Sequence, residues 1–544
     1  MPILQALAGH SHYTEEELLM LVFARKKALV LRPRNPEQLL ALIPTAKALT
    51  VGGKQFVAVP HKLDEVRVLR NLGMSPPSPI RYFYKWSGSY TPFKAQMDTS
   101  EFLTLNRRAY VLNEMGTGKT LAALWAFDYL KTLGVVHKML VVCPLSTMER
   151  TWADEVFRHF PHLDYCVLYG DRKRRLKLLQ QSSDVYIVNH DGLQIILDDL
   201  KDRPDIDLII SDEIAQAARN ASTDRWKALN QLINKQQNGS RWCWGMTGTP
   251  TPNAPTDAWA QCRLVTPSTA PIYFNRFKDL VMKQVNNFLW VARPNATEVV
   301  HAAMQPSIRF SRAECVDLPP CVFQTRHVAL TKEQTKAYQD MLTKLSFEAA
   351  AGQVLAVNEA VKASKLVQIA CGVAYDVNGL EVALDSEPRL KVVLEIVEEA
   401  AGKVIVFVPF VSAVSHVARY LETHGVTVEC VFGEVSKNER DRIFGAFQNT
   451  DDPRVLVAQP AAMSHGLTLT KANTIIWYAP IFSNDIYDQA CARITRPGQT
   501  RAQLIVNIEG SPMERKTYER LKNKQKMQGI LLTMVQEARL ATNT

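Results

Sequence analysis

The stretch Asn113-Glu-Met-Gly-Thr-Gly-Lys-Thr120 constrains this chain more than any other. It follows the apolar run Ala109-Tyr-Val-Leu and leads into Leu121-Ala-Ala-Leu-Trp-Ala. A glycine-rich turn between a buried strand and a helix aims backbone N–H groups and the positive end of the helix dipole at one point, which makes it a phosphate site. Met115, Gly116, Thr117 and Gly118 supply the turn, Lys119 is placed to reach the outer phosphates, and Thr120 to hold magnesium. The strict pattern has glycine where Asn113 stands, so the loop is a variant. The competing reading is a plain strand-to-helix turn. Strand, Gly-Lys-Thr and helix in the required order weigh against it.

Such a loop demands an α/β architecture. Lys138-Met-Leu-Val-Val-Cys, Asp184-Val-Tyr-Ile-Val and Asp207-Leu-Ile-Ile are short buried-strand runs separated by helical stretches, the pattern of a parallel sheet covered on both faces. Leu208-Ile-Ile-Ser-Asp212-Glu213 puts two carboxylates at the end of such a strand, where open α/β sheets bind ligands. Asp212 suits a magnesium shell, and Glu213 the orientation of an attacking water. The alternation returns at Lys403-Val-Ile-Val-Phe-Val, Arg454-Val-Leu-Val-Ala and Thr474-Ile-Ile-Trp-Tyr. The expected organisation is two parallel-sheet lobes, 91–268 and 391–520, with a helical insertion and linker over 269–390. An accessory module over 1–90 carries a helical pattern at Thr14–Phe23, and a basic helix closes the chain over 521–544.

Charge and cysteine usage narrow the setting. Sixty-four Lys and Arg against 54 Asp and Glu give a net charge of +10, which favours a polyanionic partner. The nine cysteines form no Cys-x-x-Cys pair, and no apolar run has the roughly 18 residues of a membrane span. These features predict a cytoplasmic protein with no membrane partner. The run Arg172-Lys-Arg-Arg175 with Lys177 reads first as a solvated helix face and second as a set of phosphate contacts.

Further blocks follow in order. Cys143-Pro-Leu-Ser-Thr-Met-Glu-Arg-Thr-Trp152, Met246-Thr-Gly-Thr-Pro-Thr-Pro-Asn253 and Asp488-Gln-Ala-Cys-Ala-Arg493-Ile-Thr-Arg496-Pro-Gly-Gln499 join the phosphate loop and acid pair, and Pro92-Phe-Lys-Ala-Gln96 precedes them. The set resembles helicase superfamily two, specifically its Swi/Snf-type translocases in their short microbial or phage form, over roughly residues 90–510. The resemblance implies two RecA-like lobes and ATP with Mg2+ as cofactors. It also implies DNA, duplex or forked, as partner. It gives Gln96 the adenine and makes Lys119, Asp212, Glu213, Gln489, Arg493 and Arg496 the catalytic set. Pro144, Ser146, Thr247, Thr249 and Gly466 fall on nucleic-acid-binding blocks. Thr247 and Thr249 also offer hydroxyls near the acid pair. The two arginines, three residues apart, share a face if helical and would act as arginine fingers. Arg309-Phe-Ser-Arg312 resembles the segment between the lobes.

Two departures stand out. Ile214-Ala215 follows the acid pair where the family has Ala-His or similar, and Ala461-Ala-Met-Ser-His precedes Gly466 where it favours an arginine and paired glycines. The implied activity is ATP-driven translocation on duplex DNA. A strand-separating or fork-annealing helicase and an ATP-gated scaffold with little turnover are the alternatives.

Overall fold

The protein is described from a computed structural model. It covers residues 20–523 except 52, 89–90, 235–240, 286–289, 316–318, 345, 350–351, 356–358, 376–380, 464–468 and 496–498. The chain divides into two compact units, the first running essentially to Ser311 and the second from Arg312.

The first unit begins with a small module. Strands β1 (Met20–Phe23), β2 (Ala28–Leu31), β3 (Lys47–Val51) and β4 (Lys54–Pro60) form an antiparallel sheet in the order β1-β2-β4-β3. Helices α1 (Pro36–Leu42) and α2 (Leu63–Asn71) complete it. The helix expected over Thr14–Phe23 is a strand where it is described, because Met20–Phe23 finds a hairpin partner in Ala28–Leu31. Tertiary pairing overrides local pattern in such short apolar runs. Arg67 on α2 donates to the carbonyls of Leu105 (3.3 Å) and Thr104 (2.9 Å), and Arg70 donates to Glu101 (3.3 Å), which fastens the module to the helix Lys94–Leu105, α3.

The rest of the first unit is a seven-stranded, all-parallel sheet. Its strands are β5 (Arg108–Val111), β6 (Lys138–Cys143), β7 (Tyr165–Val167), β8 (Val185–Asn189), β9 (Ile206–Asp212), β10 (Trp242–Met246) and β11 (Ser307–Ile308), in the spatial order β11-β5-β10-β9-β6-β8-β7. Strand residues such as Val141, Ile187 and Ile210 are fully buried, as expected where helices cover both faces. Trp242 and Trp244 are core residues of β10.

The second unit carries a six-stranded parallel sheet. Its strands are β12 (Cys321–His327), β13 (Lys403–Phe407), β14 (Val428–Val431), β15 (Val455–Ala458), β16 (Ala472–Trp477) and β17 (Gln503–Glu509), in the order β12-β17-β16-β13-β15-β14. The two sheets give the expected α/β fold of two RecA-like lobes.

The segment 269–390 is divided rather than inserted whole. Ser307–Ile308 completes the first sheet and Cys321–His327 the edge of the second, and hairpins such as Met282–Gln284 with Trp290–Ala292 lie among the helices. Of the C-terminal helix expected over 521–544, residues 524–544 lie outside the described residues.

Candidate active site

The strand β5 ends where the phosphate loop begins, and Gly118 caps the helix Lys119–Thr132, α4. Gly116 (φ 83°) and Gly118 (φ 75°) adopt the left-handed backbone that only glycine enters without strain. A Cβ at Gly118 would also displace the amide end of Gln96 from the loop. Gln96 is buried beneath the loop, with its Oε1 accepting from Phe93 N (3.0 Å) and its Nε2 reaching toward Gly118 O (3.5 Å). Lys119 Nζ folds over the loop, donating to the carbonyls of Asn113 (2.9 Å) and Glu114 (3.2 Å).

Asn113, the departure from the strict loop, has a structural use. Its Nδ2 donates to Thr99 Oγ1 (2.9 Å) on α3, and its Oδ1 accepts from Phe310 N (3.0 Å). Arg309 beside it donates to Leu112 O (2.8 Å) and to Glu114 Oε1 (2.7 Å), and Glu114 N donates to Phe310 O (3.0 Å). The phosphate loop is therefore braced by residues nearly two hundred positions away. Arg309, expected in a segment between lobes, belongs to the first unit's site.

The acid pair ends β9, the next strand but one in the sheet. Asp212 is buried, its Oδ2 accepting from Trp152 Nε1 (2.9 Å) and its Oδ1 from Glu213 N (3.1 Å). Burial pushes its pKa above the ordinary carboxylate value, while the Trp152 indole, the Lys119 charge and the Glu213 amide oppose the shift. Lys119 thus acts on Asp212, so phosphate loop and acid pair form one site. Glu213 sits in the left-handed region (φ 50°, ψ 48°), a costly conformation for a residue with a Cβ and one found at functional sites.

Strand β10 brings the third block to the same place. Thr247 Oγ1 donates to Glu213 Oε2 (3.4 Å) and accepts from Thr249 N (3.1 Å). Thr247 is 0% exposed and Thr249 is buried. In this structure the Thr247 hydroxyl faces the acid pair, as its place beside that pair led one to expect. Ile214, at the other departure, is a packing residue. It is fully buried, and a Cβ at Gly245 of β10 would lie 2.9 Å from its Cδ1.

Pro144 and Ser146 lie on the turn after β6. Pro144 is buried, with its carbonyl accepting from Thr147 N and Oγ1 (3.0 Å each), and Ser146 is exposed. Met115, Gly116 and Thr120 are partly exposed around the loop, while Thr117 is buried and donates to Glu114 O (2.8 Å). The basic run at 172–177 is helical but only partly solvated. Arg175 is buried, donating to Gly170 O (2.7 Å), and Arg172 pairs with Asp199 (3.2 Å).

In the second unit, Gln489 is buried on the helix Asn484–Cys491, α5, with Nε2 donating to Asp485 Oδ1 (2.9 Å). Arg493 lies past the end of that helix, on a turn in which Arg493 N donates to Ala490 O (3.1 Å), and it is 1% exposed. The helix α5 stops at Cys491, so Arg493 is not on a helical face. Arg496 and Gly466 lie outside the described residues, as does Ser464 of the second departure.

Residues quoted only as parts of blocks, or not at all, turn out to build the site: Trp152 holds Asp212, while Asn113 and Arg309 hold the loop. The sequence marked Asn113 as a departure from the strict loop, and Trp152 and Arg309 only as members of their blocks.

Comparison with known proteins agrees with this layout. Residues 103–371 match the SNF2-related domain and residues 388–498 the helicase conserved C-terminal domain. Putative protein p41 of Acyrthosiphon pisum secondary endosymbiont phage 1 is 25% identical over 468 residues, covering 82% of this chain and 98% of the phage protein. The putative ATP-dependent helicase/translocase YwqA of Bacillus subtilis is 24% identical over 418 residues, 72% of this chain but 43% of that protein. An uncharacterized ATP-dependent helicase of Mycoplasma pneumoniae is 24% identical over 73% of this chain, which spans 37% of its length. Among solved structures, the Sulfolobus solfataricus SWI2/SNF2 ATPase core in complex with dsDNA is 23% identical, covering 82% of this chain and 94% of that one at a TM-score of 0.40.

Proposed function

The chain belongs to the Swi/Snf-type ATPases of helicase superfamily two, and from that membership we propose that it couples ATP hydrolysis to movement along duplex DNA, remodelling the DNA or the protein–DNA complexes it meets. The observation that carries this reading is the joining of Lys119, Asp212, Glu213 and Thr247 into one constellation at the strand ends of the first lobe. A second lobe of the same build follows, bearing Arg493.

In this reading Gln96 holds the adenine, and the amides of Met115 to Gly118 cradle the phosphates with Lys119. The donor set suits magnesium: the Thr120 hydroxyl and the Asp212 carboxylate are hard oxygens, and the nearby Lys119 charge opposes the rise that burial gives the Asp212 pKa. Such an ion supplies charge neutralisation at the outer phosphates. Glu213 orients the attacking water and accepts its proton, and Thr247, bonded to Glu213, reports the state of the γ-phosphate. Arg493 and Arg496 reach that phosphate when the second lobe closes over the first, with Gln489 positioning the water. Ser146 contacts the DNA backbone, with Gly466 doing the same from the second lobe. Contacts of this kind position without reading sequence.

A triplex assay tests the movement. With ATP, a third strand bound to the major groove is expected to be released while the duplex stays paired. Rapid hydrolysis on duplex with no release of the third strand would overturn translocation.

A further inference from the structure

The charge of the chain is concentrated in its N-terminal module. Between Met20 and Leu72 stand ten Lys and Arg and three Asp and Glu, a net +7, and over residues 1–90, which include Glu15, Glu16 and Glu17, the counts are twelve and six. Within the module the signs are separated. All three acids lie on the helices: Glu37 on α1, and Asp64 and Glu65 on α2. Asp64 is bonded to Arg67 (3.0 Å), and Glu65 accepts from Thr45 (3.3 Å). Arg67 and Arg70 of α2 point into the first lobe and fix the module there.

The sheet and its turns carry only cations. The hairpin joining β1 and β2 presents Arg25, Lys26 and Lys27, and Lys62 lies at the same end, where His61 N donates to Lys27 O (2.8 Å). Arg32, Arg34 and Lys54 stand at the other end, since Leu31 pairs with Val57 and Val51 with Lys54. Lys47, on the edge strand β3, lies between them. All eight are exposed. Among the described residues none of the eight makes an ion pair.

The dimensions fit one kind of partner. Five residues of extended chain separate Lys27 from Arg32, about 17 Å. One strand of a duplex presents a phosphate every ~3.4 Å of axis, so that span faces about five of them. Eight exposed cations on the strands, turns and ends of one sheet, with no ion pair among the described residues, form a surface for a regular polyanion. We propose that the sheet of the N-terminal module is a second DNA site that grips the phosphate backbone outside the motor and, being fastened to α3, anchors the first lobe to its track. The proposal rests on the DNA-dependent reading above.

Two variants test it, one for each end of the sheet: Arg25→Gln with Lys26→Gln and Lys27→Gln, and Arg32→Gln with Arg34→Gln. Affinity of the full chain for a duplex is measured by anisotropy over a range of salt, alongside ATP turnover at saturating DNA. Each variant is expected to lose several-fold in affinity, and the two combined more than tenfold. The log-log salt slope should flatten by about 0.9 for each phosphate contact removed. Turnover at saturating DNA should stay within twofold, because no substituted residue belongs to the ATP site. Unchanged affinity and slope in both variants would overturn the second site while leaving the motor intact. Equal loss of binding to anionic phospholipid vesicles and to DNA would overturn DNA as its partner. A parent chain with neither DNA binding nor DNA-stimulated turnover would remove the underlying reading and this proposal with it.

Discussion

The two lobes share one construction, a parallel sheet buried under helices, yet one buried carboxylate in each, Glu514 and Asp212, is used in an opposite way. In the second lobe Arg389 and Glu514, 1% and 0% exposed, pair at 2.8 Å, and Glu514 also accepts from Gly510 N and Ser511 Oγ (2.9 Å each). Arg389 donates in addition to Tyr478 O. Those charges are paired with each other inside the lobe, and they tie the end of β16 to the segment after β17. In the first lobe Asp212 is also buried, but it lies at a strand end beside a glycine turn, with its pKa raised by burial. Buried charge satisfied from within makes structure, whereas buried charge held at the mouth of a glycine loop makes a site. The first lobe is thus expected to bind nucleotide by its own means and the second to complete the chemistry.

The sharpest blow to that contrast comes from Glu213→Gln. The amide keeps the hydrogen-bonding shape but cannot take a proton, so turnover should fall at least a hundredfold, a loss of about 2.7 kcal/mol or more in transition-state stabilisation. ATP affinity, read with a fluorescent analogue, should change less than threefold. Near-normal turnover would dismiss the acid pair as the hydrolytic centre.

A smaller effect is expected at Trp152. Trp152→Phe removes the indole donor from buried Asp212, at a cost of about 1–3 kcal/mol. Burial already raises the Asp212 pKa and the Trp152 bond opposes that rise, so deleting the donor raises it further. Activity requires the ionised carboxylate, which is lost as pH falls through the pKa. The acid limb of the pH–rate profile should therefore move to higher pH in the variant. A profile that stays in place would mean that Trp152 only fills space.

The mildest change is Asn113→Gly, which restores the strict loop sequence but deletes the bonds to Thr99 and Phe310. Nucleotide affinity should weaken a few-fold and thermal stability drop, with kcat little altered. Tighter binding would show the brace to be a hindrance.

How much of this was legible in the sequence depends on how local each feature is. The phosphate loop, the acid pair and the central strands are written in contiguous residues, and the two parallel sheets form as expected. What bound them together was not legible. Ser307–Ile308 is too short to show a strand pattern and becomes one only by pairing with β5. Cys321–His327 is an edge strand whose Val322 and Phe323 remain exposed, so it lacks the apolar signature of its buried neighbours. The position of Arg493 turns on where α5 ends, a boundary set by a turn rather than by periodicity. The side chain packed closest against Gly118 comes from Gln96, more than twenty residues upstream.

The central claim, a nucleotide site in the first lobe completed on DNA by an arginine of the second, is tested most directly by steady-state ATP hydrolysis. The full chain and its Arg493→Lys variant are compared without nucleic acid and with single-stranded, duplex and forked DNA. Duplex DNA is expected to raise the rate of the parent at least tenfold. Lysine keeps the charge but not the rigid guanidinium fork, so the variant should lose most of that stimulation while its ATP affinity stays within about tenfold, ~1.4 kcal/mol. Equal rates with and without DNA in the parent, or full stimulation in the variant, would contradict the account.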